Sequence, residues 1–216
     1  MTGQVVDPFF DVAGALKQFA LPKDFLGTWA TKNALSIPGP IYVSDECSAG
    51  TGPAAAPNNV ILLTNDDETY VTVDGVCPQG GEFLYRQPGS MFELKQVVDA
   101  AACNALSAYA LDGNSYWTRQ LVVAWWHDTR SVRHALAANL RTFWERQRAR
   151  AVAYAPAMPW PWPKPKVVPE TWPWPSPELQ RWNAVNEDGL EHYLREYCYF
   201  LDNRRVPTAA TNLPPL

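Results

Sequence analysis

Residues 156–177 read PAMPWPWPKPKVVPETWPWPSP, and nine of these 22 positions are proline. Trp-Pro-Trp-Pro occurs twice, at Trp160–Pro163 and Trp172–Pro175. Proline fixes φ and removes an amide donor, so the stretch can be neither a helix interior nor a central strand. Polyproline II or a chain of turns remains. A tryptophan buries about 150–250 Å² when it packs, and four of them are a large apolar load to leave in water. Two roles fit this load. One is an ordered strap folded back over the rest of the chain. The other is a Pro/Trp ligand for a partner's aromatic groove, anchored by Trp160, Trp162, Trp172 and Trp174. Paired tryptophan bulk favours the strap.

Outward from the strap, 216 residues with 47% hydrophobic and 19% charged content bury a sizeable core. Charge is unevenly placed. Residues 1–117 carry 5 Lys/Arg against 13 Asp/Glu, a net of −8, and residues 118–155 carry 7 Arg against 2 acids, a net of +5. An acidic front half suits a basic partner, and it equally suits the chain's own arginine-rich segment. The amino-terminal sequence MTGQVVDPFF has neither a basic nor an apolar signal region, and no run reaches 18 apolar residues. The expectation is a cytoplasmic protein with no membrane segment and reduced thiols. A Cys47–Cys77 disulfide is expected only if the chain is exported by another route.

The chain divides into blocks. Asp7-Pro8 opens an amphipathic helix to about Ala20, and a second short helix covers Asp24–Lys32, so residues 1–36 read as helical. Proline and glycine punctuate residues 37–57 as an irregular loop, with one extended piece near Ile41–Val43. Val60–Thr64, Tyr70–Val73, Val76–Cys77 and Glu82–Arg86 read as an antiparallel meander closing a loop-and-strand block over residues 37–88. Over residues 89–155, Ser90 and Glu93 form a capping box for a helix to about Tyr109. Thr118 caps a helix buried through Leu121, Val122, Trp125 and Trp126, and Ser131 caps a long one to about Ala153. After the strap, residues 178–206 hold a helical region facing inward through Leu190, Tyr193, Leu194, Tyr197 and Leu201. The fold class is α+β: a mostly helical single domain with a small antiparallel sheet and the Pro/Trp strap.

The chemistry-bearing residues are sparse. His127, His134 and His192 form no HxH or HExxH pattern, so neither a metal nor another cofactor is expected. Cys47 with Asp45 and Glu46 lacks a nucleophile elbow. Gly50-Thr51-Gly52 and Gln79-Gly80-Gly81 lack the lysine of a phosphate loop. The arginines at 141, 146, 148 and 150 sit in an acidic chain with no nucleic-acid module, so nucleic acid is not an expected partner. Asp66, Asp67 and Glu68 form an acidic hairpin tip suited to a partner.

Several motifs form a familiar set: Ile37-Pro38-Gly39-Pro40-Ile41-Tyr42, Thr51-Gly52-Pro53, Ala56-Pro57-Asn58-Asn59-Val60, Tyr85-Arg86-Gln87-Pro88, and Tyr199-Phe200-Leu201-Asp202-Asn203-Arg204-Arg205-Val206-Pro207. They resemble a group of uncharacterised bacterial proteins reading PGPxY, TGP, APxNV, YRQP and FLxxxRxP. The match touches about residues 33–126 and 190–216 and leaves the strap outside. Where the group carries a His before a Trp, this chain has Tyr116-Trp117. The group is similar in kind to immunity proteins of polymorphic-toxin systems. With no catalytic constellation and an acidic front half, the expectation is a non-catalytic protein, monomer or homodimer, that occludes a basic toxin domain through Asp66, Asp67 and Glu68 or through the strap tryptophans. The alternative is a small-molecule-binding protein or enzyme with its site in the Pro38–Pro57 loop. There, beside Tyr85, Arg86 would bind an anion, and Asp45 or Asp112 would act as base.

Overall fold

The computed structural model describes residues 10, 12–17, 19, 22–44, 50–63, 81–135 and 189–216. The strap, the acidic tip at 66–68, Asp45, Cys47, Cys77 and the expected strands at 70–77 lie outside these residues. Among them the architecture is α+β, as expected. In chain order come α1 (Val12–Leu16), β1 (Tyr42–Val43), α2 (Thr51–Ala55), β2 (Val60–Leu63), β3 (Gly81–Leu84), α3 (Met91–Cys103), β4 (Tyr109–Ala110), α4 (Arg119–Asp128) and α5 (Leu190–Asn203).

Local chemistry explains the well-formed helices. At α3 the Ser90 hydroxyl accepts from Glu93 N at 3.1 Å, and Glu93 reaches back to the Gly89 amide at 2.8 Å. At α4 the Thr118 hydroxyl accepts from Leu121 N at 3.3 Å. Both side chains take up amides that the helix itself leaves orphaned. α5 buries Leu190, Leu194, Tyr197, Cys198, Phe200 and Leu201, and Tyr193 packs at the margin of that face. Phe10 lies against Tyr193, Tyr197 and Phe200 with ring centroids 5.4–5.8 Å apart. The common core adds Ile41, Val43, Val60, Leu84, Leu94, Val97, Tyr109 and Val122.

Four expectations need correction. The described strands form two separate antiparallel pairs rather than one meander: β2 with β3, and β1 with β4. β4 arises where a helix to Tyr109 was expected. The Asn104 side chain accepts from the amides of Leu106 (3.0 Å) and Ala108 (3.4 Å), and Ser107 stands at φ 50°. The chain therefore leaves the helix and pairs Tyr109 with Val43. Second, the loop of residues 37–57 contains α2, whose Gly52 and Pro53 fall in its first turn, where proline is tolerated. Third, residues 22–32 hold only single 3₁₀ turns at Pro22–Asp24 and Trp29–Thr31. Between them Phe25 bridges Ala108, and the Gly27 amide donates to Tyr109 O at 2.9 Å, so tertiary pairing wins over helix propensity. Fourth, Leu121 is 43% exposed and Val122 and Trp125 carry the buried face of α4. Ser131 lies inside a helical run already under way at residue 130, with Arg133 N donating to Thr129 O at 2.8 Å.

Candidate functional site

The sequence motifs converge, but chiefly on each other. Gln87 of YRQP spans the Ile37–Ile41 loop: its Nε2 donates to Ile41 O (2.7 Å) and Ile37 O (3.3 Å), and its Oε1 accepts from Ile41 N (3.3 Å). On its other side, Gly113 N donates to Pro40 O at 3.0 Å, and the Tyr193 hydroxyl donates to Pro38 O at 2.7 Å. A Cβ on Gly113 would collide with Gly39 O, and one on Gly39 would collide with the Gln87 side chain. The space where a ligand would enter at Gly39–Pro40 is filled by protein. Tyr85 is buried with its hydroxyl on Pro57 O (2.9 Å), and Arg86 pairs with Glu93 at 2.6 Å. Asp112 accepts from the Tyr42 hydroxyl at 2.8 Å, a bond that, after burial, helps raise the Tyr42 pKa well above the ordinary phenol range. The candidate ligand residues Tyr85, Arg86 and Asp112 thus flank one loop while their polar ends hold separate protein partners.

Sequence reasoning passed over two further arrangements. Glu82 has no exposure; its Oε1 accepts from Gly52 N and its Oε2 from the Tyr109 hydroxyl, both at 2.9 Å. A Cβ at Gly52 would strike Glu82 Oε2 and the Tyr109 hydroxyl, so TGP is a packing motif before it is anything else. Lys32 lies in an aromatic box. Its Nζ is 5.1 Å from the centre of the Trp117 ring and 5.7 Å from that of Trp29, and it donates to Asn33 O at 2.9 Å. Burial draws the amine down to a pKa of about 8. Tyr116 stacks on Trp29 at 4.9 Å and extends the box to the surface, where it is 42% exposed.

Beside this box opens a groove of about 370 Å³. Leu26, Thr28, Thr31, Ser44, Leu106 and Ser107 contribute to it. Leu26 is 64% and Leu106 53% exposed, yet both stand on fixed backbone, between the Phe25–Ala108 bridge and Gly27 N in one case and on the Asn104 cap in the other. Thr31 Oγ1 lies 3.0 Å from Thr28 Oγ1 and donates to Ser44 Oγ at 3.2 Å, so the hydroxyls form a connected row. Among the described residues, no three His, Cys, Asp or Glu side chains come together as a metal would need, and no helix is long and apolar enough to cross a membrane. The chain matches no known protein-family model, no curated protein and no solved structure.

Proposed function

We propose that this chain is a protein-binding protein, acting by occlusion of a partner in the manner of an immunity protein on a toxin domain. What carries the reading is the pair of exposed leucines held on hydrogen-bonded backbone beside an open groove. An apolar side chain fixed in water gains nothing in the free chain and loses little entropy when covered, which is the signature of a preorganised contact. The acidic excess of residues 1–117 gives the partner its expected sign: a basic domain, steered by long-range attraction. Asp66, Asp67, Glu68 and the strap tryptophans stay within this proposal as further contacts.

The test is affinity capture of the tagged full chain from its own host, with the eluate weighed by mass spectrometry. The reading expects one stoichiometric partner with a basic domain. Its association rate should fall at about 1 M salt, where the screening length shrinks to about 3 Å. Charge reversal at Asp66 and Asp67 should slow association in the same direction. Recovery of the chain alone would contradict the reading.

A further inference from the structure

We infer that α4 and α5 form a docking seat for an extended Leu-Pro-Pro segment, that the chain fills this seat with its own residues 213–215, and that a partner polypeptide presenting the same sequence takes their place. The inference stands apart from the occlusion reading, since it uses neither the acidic front half nor the groove at Leu26. The occupant of this seat is in view. Arg195 Nε donates to Pro214 O at 2.9 Å and its Nη2 to Leu213 O at 3.1 Å, while Arg119 Nη2 donates to Pro215 O at 3.2 Å. Two guanidinium groups thus take three successive carbonyls. Proline has no amide donor, so this segment cannot be recognised as an added strand, and its carbonyls are what remains to be read. A guanidinium suits that task because it carries five donors and no acceptor. Two prolines in succession also hold the backbone extended before docking, which lowers the entropy lost on binding. Leu216 packs against the common core and gives the segment an apolar anchor.

The seat and its occupant differ in how firmly they are held. Arg119 opens α4 directly after the Thr118 cap, and Val122 and Trp125 bury that helix. Arg195 follows buried Leu194 on α5, which Tyr197 and Cys198 fix in the core. The chain leading from α5 to the segment is held less. Arg204 takes the left-handed region at φ 53°, and residues 204–206, 208–210 and 212 are exposed. The turn in this stretch bonds to itself: Thr211 N donates to Thr208 O, and Thr208 N to Thr211 Oγ1, both at 2.8 Å. Leu213 and Pro214 are half-buried and Pro215 is exposed. A segment with few buried contacts opens at far lower free energy than the whole fold. Its opening uncovers two guanidinium groups on an intact framework. Tethering keeps the segment at an effective concentration of about a millimolar, so the seat is guarded in the free chain and a competing segment gains most where the tethered one is weakened.

The probe is the peptide Asn-Leu-Pro-Pro-Leu, acetylated and amidated, titrated into two ¹⁵N-labelled full chains. One is unaltered and the other carries Pro214→Ser with Pro215→Ser, which removes the preset backbone of the segment and leaves α4 and α5 unchanged. The expected result is saturable shifts at the first turn of α4, at the middle of α5 and at the Arg195 Nε–H. The substituted chain should bind the peptide about tenfold more tightly than the unaltered one, because its tethered competitor is weaker. A peptide with serine in place of both prolines should bind about tenfold more weakly than its parent, a comparison made on one and the same protein. No saturable shift in the substituted chain, shifts centred away from α4 and α5, or equal binding of the serine peptide would overturn the proposal. A failed titration leaves the occlusion reading intact, and an affinity capture without a basic partner leaves the seat intact.

Discussion

At Glu82 a carboxylate with no exposure accepts one bond from a backbone amide and one from a buried phenol, 2.9 Å each, and so ties β3 to both α2 and β4. Tyr109→Phe removes the phenol donor and leaves one carboxylate oxygen dry. Hydrogen bonds to charged groups contribute about 1.5–3 kcal/mol, so the substitution should lower unfolding free energy by that amount in a urea titration. Gln87→Ala should cost about 3 kcal/mol in the same assay, since it strips three bonds from the buried Ile37–Ile41 loop at roughly 1 kcal/mol each. Lys32 gives a pH signature. Burial lowers its amine from the ordinary 10.5 to about 8, so between these values the unfolded chain binds more protons than the folded one. Stability therefore rises with pH across that window on this residue's account, and the burden of charging it is fully present below about pH 8. Lys32→Met should abolish this contribution, which shows as a flatter difference in stability between pH 8 and 10.5 than in the unaltered chain.

At the level of elements, the features legible in the sequence are those set by near neighbours. Ser90 and Thr118 cap their helices because a hydroxyl needs only an amide three residues on. The inward face of α5 follows from 3.6-residue periodicity, which Leu190, Leu194, Tyr197 and Leu201 obey. β4 was not legible, because two residues carry no periodicity and Tyr109–Ala110 becomes a strand only through pairing with Tyr42–Val43 far back in the chain. α2 was hidden for another reason: glycine and proline read as breakers, but both are accommodated in a first turn. The candidate site was less legible still. YRQP and PGPxY stood out as motifs, but motif spelling does not separate a ligand contact from a lock, and Gln87 proves to be a lock. Leu26 and Leu106 were unremarkable because exposure and a shared groove are properties of the folded chain alone. α5 supplies one more test at this scale. The Tyr197 hydroxyl donates to Asn114 Oδ1 at 2.7 Å, and Asn114 Nδ2 donates to Phe10 O at 2.6 Å, so one asparagine joins α5 to the amino-terminal segment. Asn114→Ala should destabilise by about 1–3 kcal/mol and speed amide exchange around Phe10.

Across the whole molecule, charge and apolar display work at different ranges. Under the proposed binding role, the net of −8 over residues 1–117 would act over a screening length of about 8 Å and set how quickly a basic partner arrives. The leucine-flanked groove would act only in contact and set how long that partner stays. The paired arginines Arg119 and Arg195, which donate to the carbonyls of Pro215, Pro214 and Leu213 at 2.9–3.2 Å, hold the carboxy-terminal segment against α4 and α5, so it too is part of the framework. The measurement that bears most directly on the binding account is a matched affinity capture from the chain's own host cells, with the unaltered full chain in one arm and the Leu26→Glu, Leu106→Glu chain in the other. The account predicts a single stoichiometric partner with a basic domain on the first and its loss, at equal fold stability, on the second. Recovery of the unaltered chain with no partner at all would contradict it.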